Sequence, residues 1–284
     1  MHTTEALARE LGVAPSRESG QHFLVDKKIL ARIVKTASVK KGENILEIGP
    51  GFGALTSELI QKGANVVAVE FDRKLARHLS GELKDSKARI VQGDILSFSN
   101  QAISGWFGSK SYRVVANIPY HITGKIIKKF VSSELPKPAS LVLLVQREVA
   151  ERVVAKPGHL SLLALSVQLY AEPSIAFEVP KESFWPIPEV DSALLAIDDV
   201  QEKPRTPPQS PPWQGGEAER FWQIVRIGFS SPRKQLRNNL AAGLSLPQDV
   251  IKKALKQSNL PETSRAQELS ILDWIAFIRA LEKK

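Results

Sequence analysis

Three glycines in five residues, Gly49, Gly51 and Gly53, stand between an apolar stretch and a helical one. The run Leu46-Glu47-Ile48-Gly49-Pro50-Gly51-Phe52-Gly53 narrows the possible folds more than any other segment of the chain. Glycine adopts backbone conformations that other residues resist and lets a ligand come close to the main chain. A glycine turn between a strand and a helix is therefore the mark of an α/β sheet that binds its ligand at the strand ends. The hydrophobic pattern around it agrees. Strands are expected at 45–48, 66–69 and 89–92 and helices at 54–62 and 73–84, a βαβαβ run. Further strands are expected at 113–116, 140–145 and 193–197, with helices at 124–131, 148–154 and 159–169. Two more helices, at 4–11 and 27–37, form a lead-in. The fold class that follows is a doubly wound, mostly parallel α/β sheet.

The pattern breaks at 200–216, which carries Pro204, Pro207, Pro208, Pro211 and Pro212 and ends in Gly215-Gly216. Proline donates no ladder hydrogen bond, so this stretch reads as a semi-extended linker. The domains expected are therefore 1–200, a linker at 201–216 and a small helical C-terminal domain at 217–284, with helices at 221–227, 233–242, 247–256 and 271–282. The last domain holds twelve basic and seven acidic residues, so +5 of the chain's net +9 falls on about a quarter of its length. That bias favours a polyanionic partner. Arg233, Lys234 and Arg237, spaced to share one side of a helix, are the candidate phosphate contacts. The bland alternative is an ordinary solvated face.

The chain contains no cysteine, which excludes disulfides, thiolate nucleophiles and cysteine-held zinc and suits a reducing cytoplasm. The start, with Glu5 and Glu10, has neither a basic nor an apolar leader segment, and no apolar run reaches the length of a membrane span. No membrane association is expected. The histidines show no ligand spacing, so no metal site is expected either. Trp106, Trp213, Trp222 and Trp274 read as packing anchors, and His121 as either a pocket residue or a cap.

Glu70 closes the second strand about twenty residues beyond the glycine loop, where a carboxylate can accept both ribose hydroxyls of an adenosine group. That spacing suits NAD as well as S-adenosylmethionine. Asp94, after the third strand, can accept from an adenine amino group or close a helix start as an N-cap. Pro50, which stiffens the turn, and the fourth-strand motif Asn117-Ile118-Pro119-Tyr120 tilt the choice toward S-adenosylmethionine. Asn117 Oδ1 and the Ile118 carbonyl can accept the two hydrogens of an amino substrate. Pro119 constrains φ and donates nothing, and Tyr120 offers a flat face to a base through its ring and not its hydroxyl. The alternative is that Pro119 starts a helix that Asn117 merely caps.

Together with Gly20-Gln21-His22-Phe23-Leu24 and Phe184-Trp185-Pro186-Ile187-Pro188-Glu189-Val190-Asp191-Ser192, these motifs resemble the small-subunit ribosomal RNA adenine dimethyltransferases. Segments 231–240 and 265–270 extend the likeness into the second domain. The resemblance implies a Rossmann-like methyltransferase sheet and S-adenosyl-L-methionine as cofactor. It implies N6,N6-dimethylation of two adjacent adenines near the 3′ end of 16S ribosomal RNA, within a pre-30S particle, with a monomer favoured. By position it implies cofactor contacts from Gln21, His22, Leu24, Gly49, Gly51, Glu70, Asp94 and Asn117. The target base falls to Asn117, Ile118, Pro119 and Tyr120, with Phe184 as a second stacking face. His22 stands where asparagine is common in the family, and the proline-rich insertion is longer than usual. A large-subunit ribosomal RNA adenine methyltransferase of the antibiotic-resistance type shares the Asn117–Tyr120 pattern but matches the C-terminal motifs less well. A third reading is an RNA-binding assembly factor without turnover, against which the intact Gly49, Glu70, Asp94 and Asn117 set argues.

Overall fold

The computed structural model describes residues 4–13, 21–205 and 216–282. Gly20, Trp213 and most of the expected proline-rich linker lie outside the described residues. The strands are β1 (Phe23–Leu24), β2 (Asn44–Ile48), β3 (Asn65–Glu70), β4 (Arg89–Gln92), β5 (Arg113–Asn117), β6 (Leu141–Gln146), β7 (Glu172–Val179), β8 (Phe184–Trp185) and β9 (Ser192–Asp198). The helices are α1 (Thr4–Glu10), α2 (Lys27–Thr36), α3 (Ala54–Gln61), α4 (Arg73–Glu82), α5 (Asn100–Trp106), α6 (Thr123–Ile127), α7 (Arg147–Val153) and α8 (Leu162–Gln168). They are followed by α9 (Glu217–Gly228), α10 (Leu236–Leu244), α11 (Gln248–Gln257) and α12 (Ile271–Glu282).

The chain divides into two compact units, one of Met1–Glu151 with Ala171–Glu202, the other of Arg152–Tyr170 with Lys203–Lys284. The expected boundary near 200 thus meets one departure, because Arg152–Tyr170 clusters with the second unit. Gly158 and Leu160 donate from this segment to the Gln267 carbonyl at 3.0 and 3.1 Å.

The first unit is built on a seven-stranded sheet of order β4-β3-β2-β5-β6-β9-β7. The first five strands are parallel, and β9 and β7 close one edge antiparallel. Parallel strands covered by helices on both faces read as unbroken apolar runs, as Leu141–Val145 does, with every residue buried. The edges differ: β4 is largely exposed, and β7 alternates exposed with covered residues. On one face α2 and α3 seal the sheet with Leu30, Ile33, Val34, Leu55 and Leu59 against Ile45, Val66 and Val115. Asp26 and Asp72 cap α2 and α4, each accepting two backbone N–H groups of the first turn. Chain order reverses between β2 and β5, and an open α/β sheet places its ligand crevice at such a switch point.

The second unit is helical. Phe221, Ile224, Leu236, Leu240, Leu255, Trp274 and Phe277 are its fully buried centre. Gly228 permits the packing, since a Cβ there would lie 2.5 Å from the Trp274 ring. Buried Asn239 donates to the carbonyls of Gly228 and Ser231 at 2.7 and 3.0 Å, holding the turn after α9. The helix expected at 233–242 begins only at Leu236. Arg233 and Lys234 sit in the preceding turn, and the three cations do not line one helix face.

Candidate functional site

The glycine loop follows β2 and runs into α3. Gly49, Gly51 and Gly53 all have positive φ, and a Cβ on Gly51 would lie 2.8 Å from the Phe23 ring, so that position admits no side chain. The N-terminus of α3 has no side-chain cap, leaving its amides directed at the loop. Glu70, at the end of β3, holds the loop from below. Its Oε2 accepts from Gly51 N at 3.0 Å and its Oε1 from Asp72 N at 2.8 Å. Burial raises the Glu70 pKa, and those two amides draw it back.

A second carboxyl lies beneath the first. Glu47 on β2 is 1% exposed, and neither its Oε2 nor the buried Thr56 Oγ1 on α3 has a hydrogen-bond partner among the described residues. Burial is the largest influence pushing the Glu47 carboxyl up to about 8. Thr56 lies near enough to pull it part of the way back although its hydroxyl meets no hydrogen-bond partner among the described residues, and the charge of Glu70 pushes it further up. Glu47 is therefore a neutral acid at pH 7 beside an ionisable neighbour. In the sequence Glu47 reads simply as one residue of the strand.

Asp94 is exposed beyond β4, and its Oδ1 accepts from Leu96 N at 2.9 Å. It thus closes a turn of its own backbone, and its other oxygen is not engaged in that bond. Phe71, immediately after Glu70, is 75% exposed although it borders the cavity. A bare aromatic ring beside a buried carboxylate is a ligand-facing arrangement. Its only sequence signal was adjacency to Glu70.

Across the switch point, β5 delivers Asn117. Its Nδ2 donates to the His22 carbonyl at 3.0 Å, an assignment that turns Oδ1 away from that carbonyl and leaves it as an acceptor. Pro119 precedes a short 3-10 turn, Tyr120–Ile122, and Asn117 makes no capping bond to it. His22 Nδ1 lies 2.7 Å from the Pro186 carbonyl. A carbonyl can only accept, so Nδ1 carries the hydrogen. The Tyr120 and His22 rings lie 5.4 Å apart at 30°, and the Tyr120 hydroxyl meets Ser192 Oγ at 2.7 Å.

Glu47, Glu70, Phe71, Asp94, Asn117, His22 and Tyr120 all border one cavity of about 560 Å³ in the first unit. It brings together Gln21, His22, Leu24, Gly49, Gly51, Glu70, Asp94, Asn117, Ile118, Pro119 and Tyr120. Phe184 is the correction. It pairs with Leu24 across β1 and β8, is 2% exposed, and packs with Leu30 and Ile33 in the core, so it offers no stacking face. Arg233, Lys234 and Arg237 belong to the other unit. There Arg233 and Lys234 are exposed, whereas Arg237 is 3.5 Å from Glu262. Among the described residues no three His, Cys, Asp or Glu side chains gather as metal ligands, and no helix is long and apolar enough to cross a membrane.

Residues 16–283 match the family model described as ribosomal RNA adenine dimethylase. The chain is 39% identical over 256 residues to the ribosomal RNA small subunit methyltransferase A of Dehalococcoides mccartyi (strain CBDB1), covering 90% of this chain and 84% of that one. It is 36% identical over 288 residues to the protein of the same name from Moorella thermoacetica, covering 98% and 96%. Among solved structures it resembles the 23S rRNA methyltransferase ErmE, with a TM-score of 0.70 at 25% identity over 92% of this chain and 100% of that one. It also shares the fold of a dimethyladenosine transferase from Plasmodium falciparum, with a TM-score of 0.68 at 23% identity over 90% and 95%.

Proposed function

Because the chain belongs to the ribosomal RNA adenine dimethylase family, we propose that it dimethylates N6 of two adjacent adenines near the 3′ end of 16S ribosomal RNA. It is an S-adenosylmethionine-dependent ribosomal RNA methyltransferase. The relatives that are 36–39% identical are named for the small ribosomal subunit, which favours that substrate over the large-subunit RNA of ErmE.

The cavity suits the proposed donor. Its glycine loop, uncapped α3 start, strand-end carboxylate and exposed Phe71 match a ligand with a carboxylate, a ribose and an adenine ring. The residues that would hold it are Gln21, His22, Leu24, Gly49, Gly51, Glu70, Phe71, Asp94 and Asn117. When bound, S-adenosylmethionine supplies an electrophilic methyl on a sulfonium.

The observation that carries the reading is the orientation of Asn117. With its amide nitrogen committed to the His22 carbonyl, Oδ1 is left to accept one hydrogen of the target amino group, and the Ile118 carbonyl can accept the other. Two acceptors around an aromatic amine draw its nitrogen toward a tetrahedral geometry and aim its lone pair. The work is orientation and complementarity to the transition state, so no strong base is needed and the released proton passes to water. Tyr120 offers its ring face to an adenine drawn out of its stack.

The partner is a pre-30S particle, met in the cytoplasm by a monomer. The phosphate contacts fall to Arg233, Lys234 and Arg237, with Arg237 drawn from its glutamate. Primer extension on small-subunit RNA from a deletion strain tests the substrate. A stop at two adjacent adenines that is lost on deletion and restored by this chain supports it; a change confined to large-subunit RNA refutes it.

A further inference from the structure

Tyr120 stands on a short 3-10 turn whose N-terminus has no side-chain cap, so the local backbone does little to fix the ring. What fixes it lies 72 residues away. The hydroxyl meets Ser192 Oγ at 2.7 Å, the one side-chain hydrogen bond that Tyr120 makes among the described residues. Ser192 is fully buried and opens β9, with its backbone in register with Gln146 on β6 and Val179 on β7. An anchor set between two antiparallel ladders is about as stationary as a side chain can be. Ser192 itself does not border the cavity. Two further ties hold the same wall, His22 to the Pro186 carbonyl and Asn117 to the His22 carbonyl. The His22 ring packs beside that of Tyr120, but among the described residues the bond to Ser192 is what ties the far end of the phenol. Burial raises the Tyr120 pKa, so the phenol keeps its proton and the bond persists across the working range.

We propose that Ser192 is a positioning residue for methyl transfer, its hydroxyl holding the Tyr120 ring at the place where the target adenine stacks. The proposal rests on the adenine-methylating reading above. It departs from the expectation that Tyr120 serves the base through its ring and not its hydroxyl. The Tyr120 hydroxyl lies on the axis through Cβ and Cγ, so a bond at that far end stops the ring swinging about χ1 and keeps it in one place, whereas an untied ring samples other χ1 wells, and near-attack geometry is lost in proportion to the time spent elsewhere.

The test uses the full chain, a small-subunit particle and saturating S-adenosylmethionine. Ser192→Ala and Tyr120→Phe each lower the single-turnover rate by about fivefold to twentyfold, the scale of one lost hydrogen bond. The double variant falls no further than either single one, because both remove the same bond. Ser192→Thr, which restores a hydroxyl, recovers most of the rate. Affinity for S-adenosylmethionine by calorimetry stays at the parent value in all of them. With 2-aminopurine in place of the target adenine, stacking quenches its fluorescence in the parent and less so in Ser192→Ala.

A parent that methylates the particle, beside a Ser192→Ala variant with equal rate and equal quenching, overturns the positioning role and leaves the reaction assignment standing. So do losses that multiply in the double variant. A parent that leaves the particle unmethylated refutes the reaction assignment instead. If Ser192→Ala fails to fold, Tyr120→Phe decides alone: parental rate and quenching refute the role.

Discussion

Replacing Glu47 by glutamine isolates a cost that the folded protein carries beneath its glycine loop. The carboxyl ionises near 4.5 in an unfolded chain and near 8 in the native one, chiefly because burial disfavours its charge. Between those values the native state keeps a proton that the unfolded state has released. A raised folded-state pKa gives stability that is fully present below about 4.5 and lost as pH climbs toward 8. The slope is about 1.4 kcal/mol per pH unit, so the parent forfeits about 4 kcal/mol between pH 5 and pH 8, an order-of-magnitude figure. Glutamine has the same shape and no proton to lose, so the variant forfeits none of it at this position. Urea unfolding of both proteins at unit steps from pH 5 to pH 9 gives the difference in stability, from which titrating groups not coupled to Glu47 cancel. The variant should be close to the parent at pH 5, gain on it steadily to pH 8, and then run level. Parallel curves would show that Glu47 is ionised in the native protein and that some partner stabilises its charge.

Asn117→Ala should slow single-turnover methylation of a small-subunit particle by roughly two orders of magnitude, the scale of one lost transition-state contact. A near-parental rate at saturating cofactor would exclude the acceptor geometry. Glu70→Ala strands the amides of Gly51 and Asp72 as well as removing the proposed ribose acceptor, and should weaken S-adenosylmethionine binding by more than tenfold. Calorimetry checks this, and unchanged affinity would remove Glu70 from the site. Neutralising Arg233 and Lys234 should lower the salt dependence of RNA binding, by a slope of about one per phosphate contact, while sparing cofactor affinity. An unchanged slope would exclude the turn before α10 from the RNA surface.

Local signals and distant contacts divided sharply in how far they could be read. The parallel strands were legible because strands covered on both faces leave unbroken apolar runs, and the glycine loop because its backbone excludes side chains. The edge strand β7 was not anticipated. Its Glu-Pro-Ser start resembles a turn, and proline is tolerated there because an edge strand leaves one side of its ladder unpaired. Helix α5 also escaped, being only seven residues long and containing Ser104 and Gly105. Phe184 was misread for another reason. Its motif marks the right neighbourhood, but only the register of β8 on β1 decides which face its ring takes, and that register turns it into the core. The bonds from His22 to Pro186 and from Tyr120 to Ser192 join residues 164 and 72 positions apart, and no local spacing encodes them.

The two-residue ladder between β1 and β8 also sets a clock. Phe23 is paired with Trp185, so the segment that follows Gln21 cannot lock into place until the ribosome has delivered the far side of the ladder. At typical elongation rates the wait is roughly ten to thirty seconds. Closing so long a loop is also entropically costly unless the intervening sheet has already condensed. A nascent chain can therefore build the sheet from β2 to β6 while the wall that carries His22 is still open. Newly made molecules should acquire the ability to retain a methyl donor abruptly and late, a step that arrest of translation before and after Trp185 would resolve.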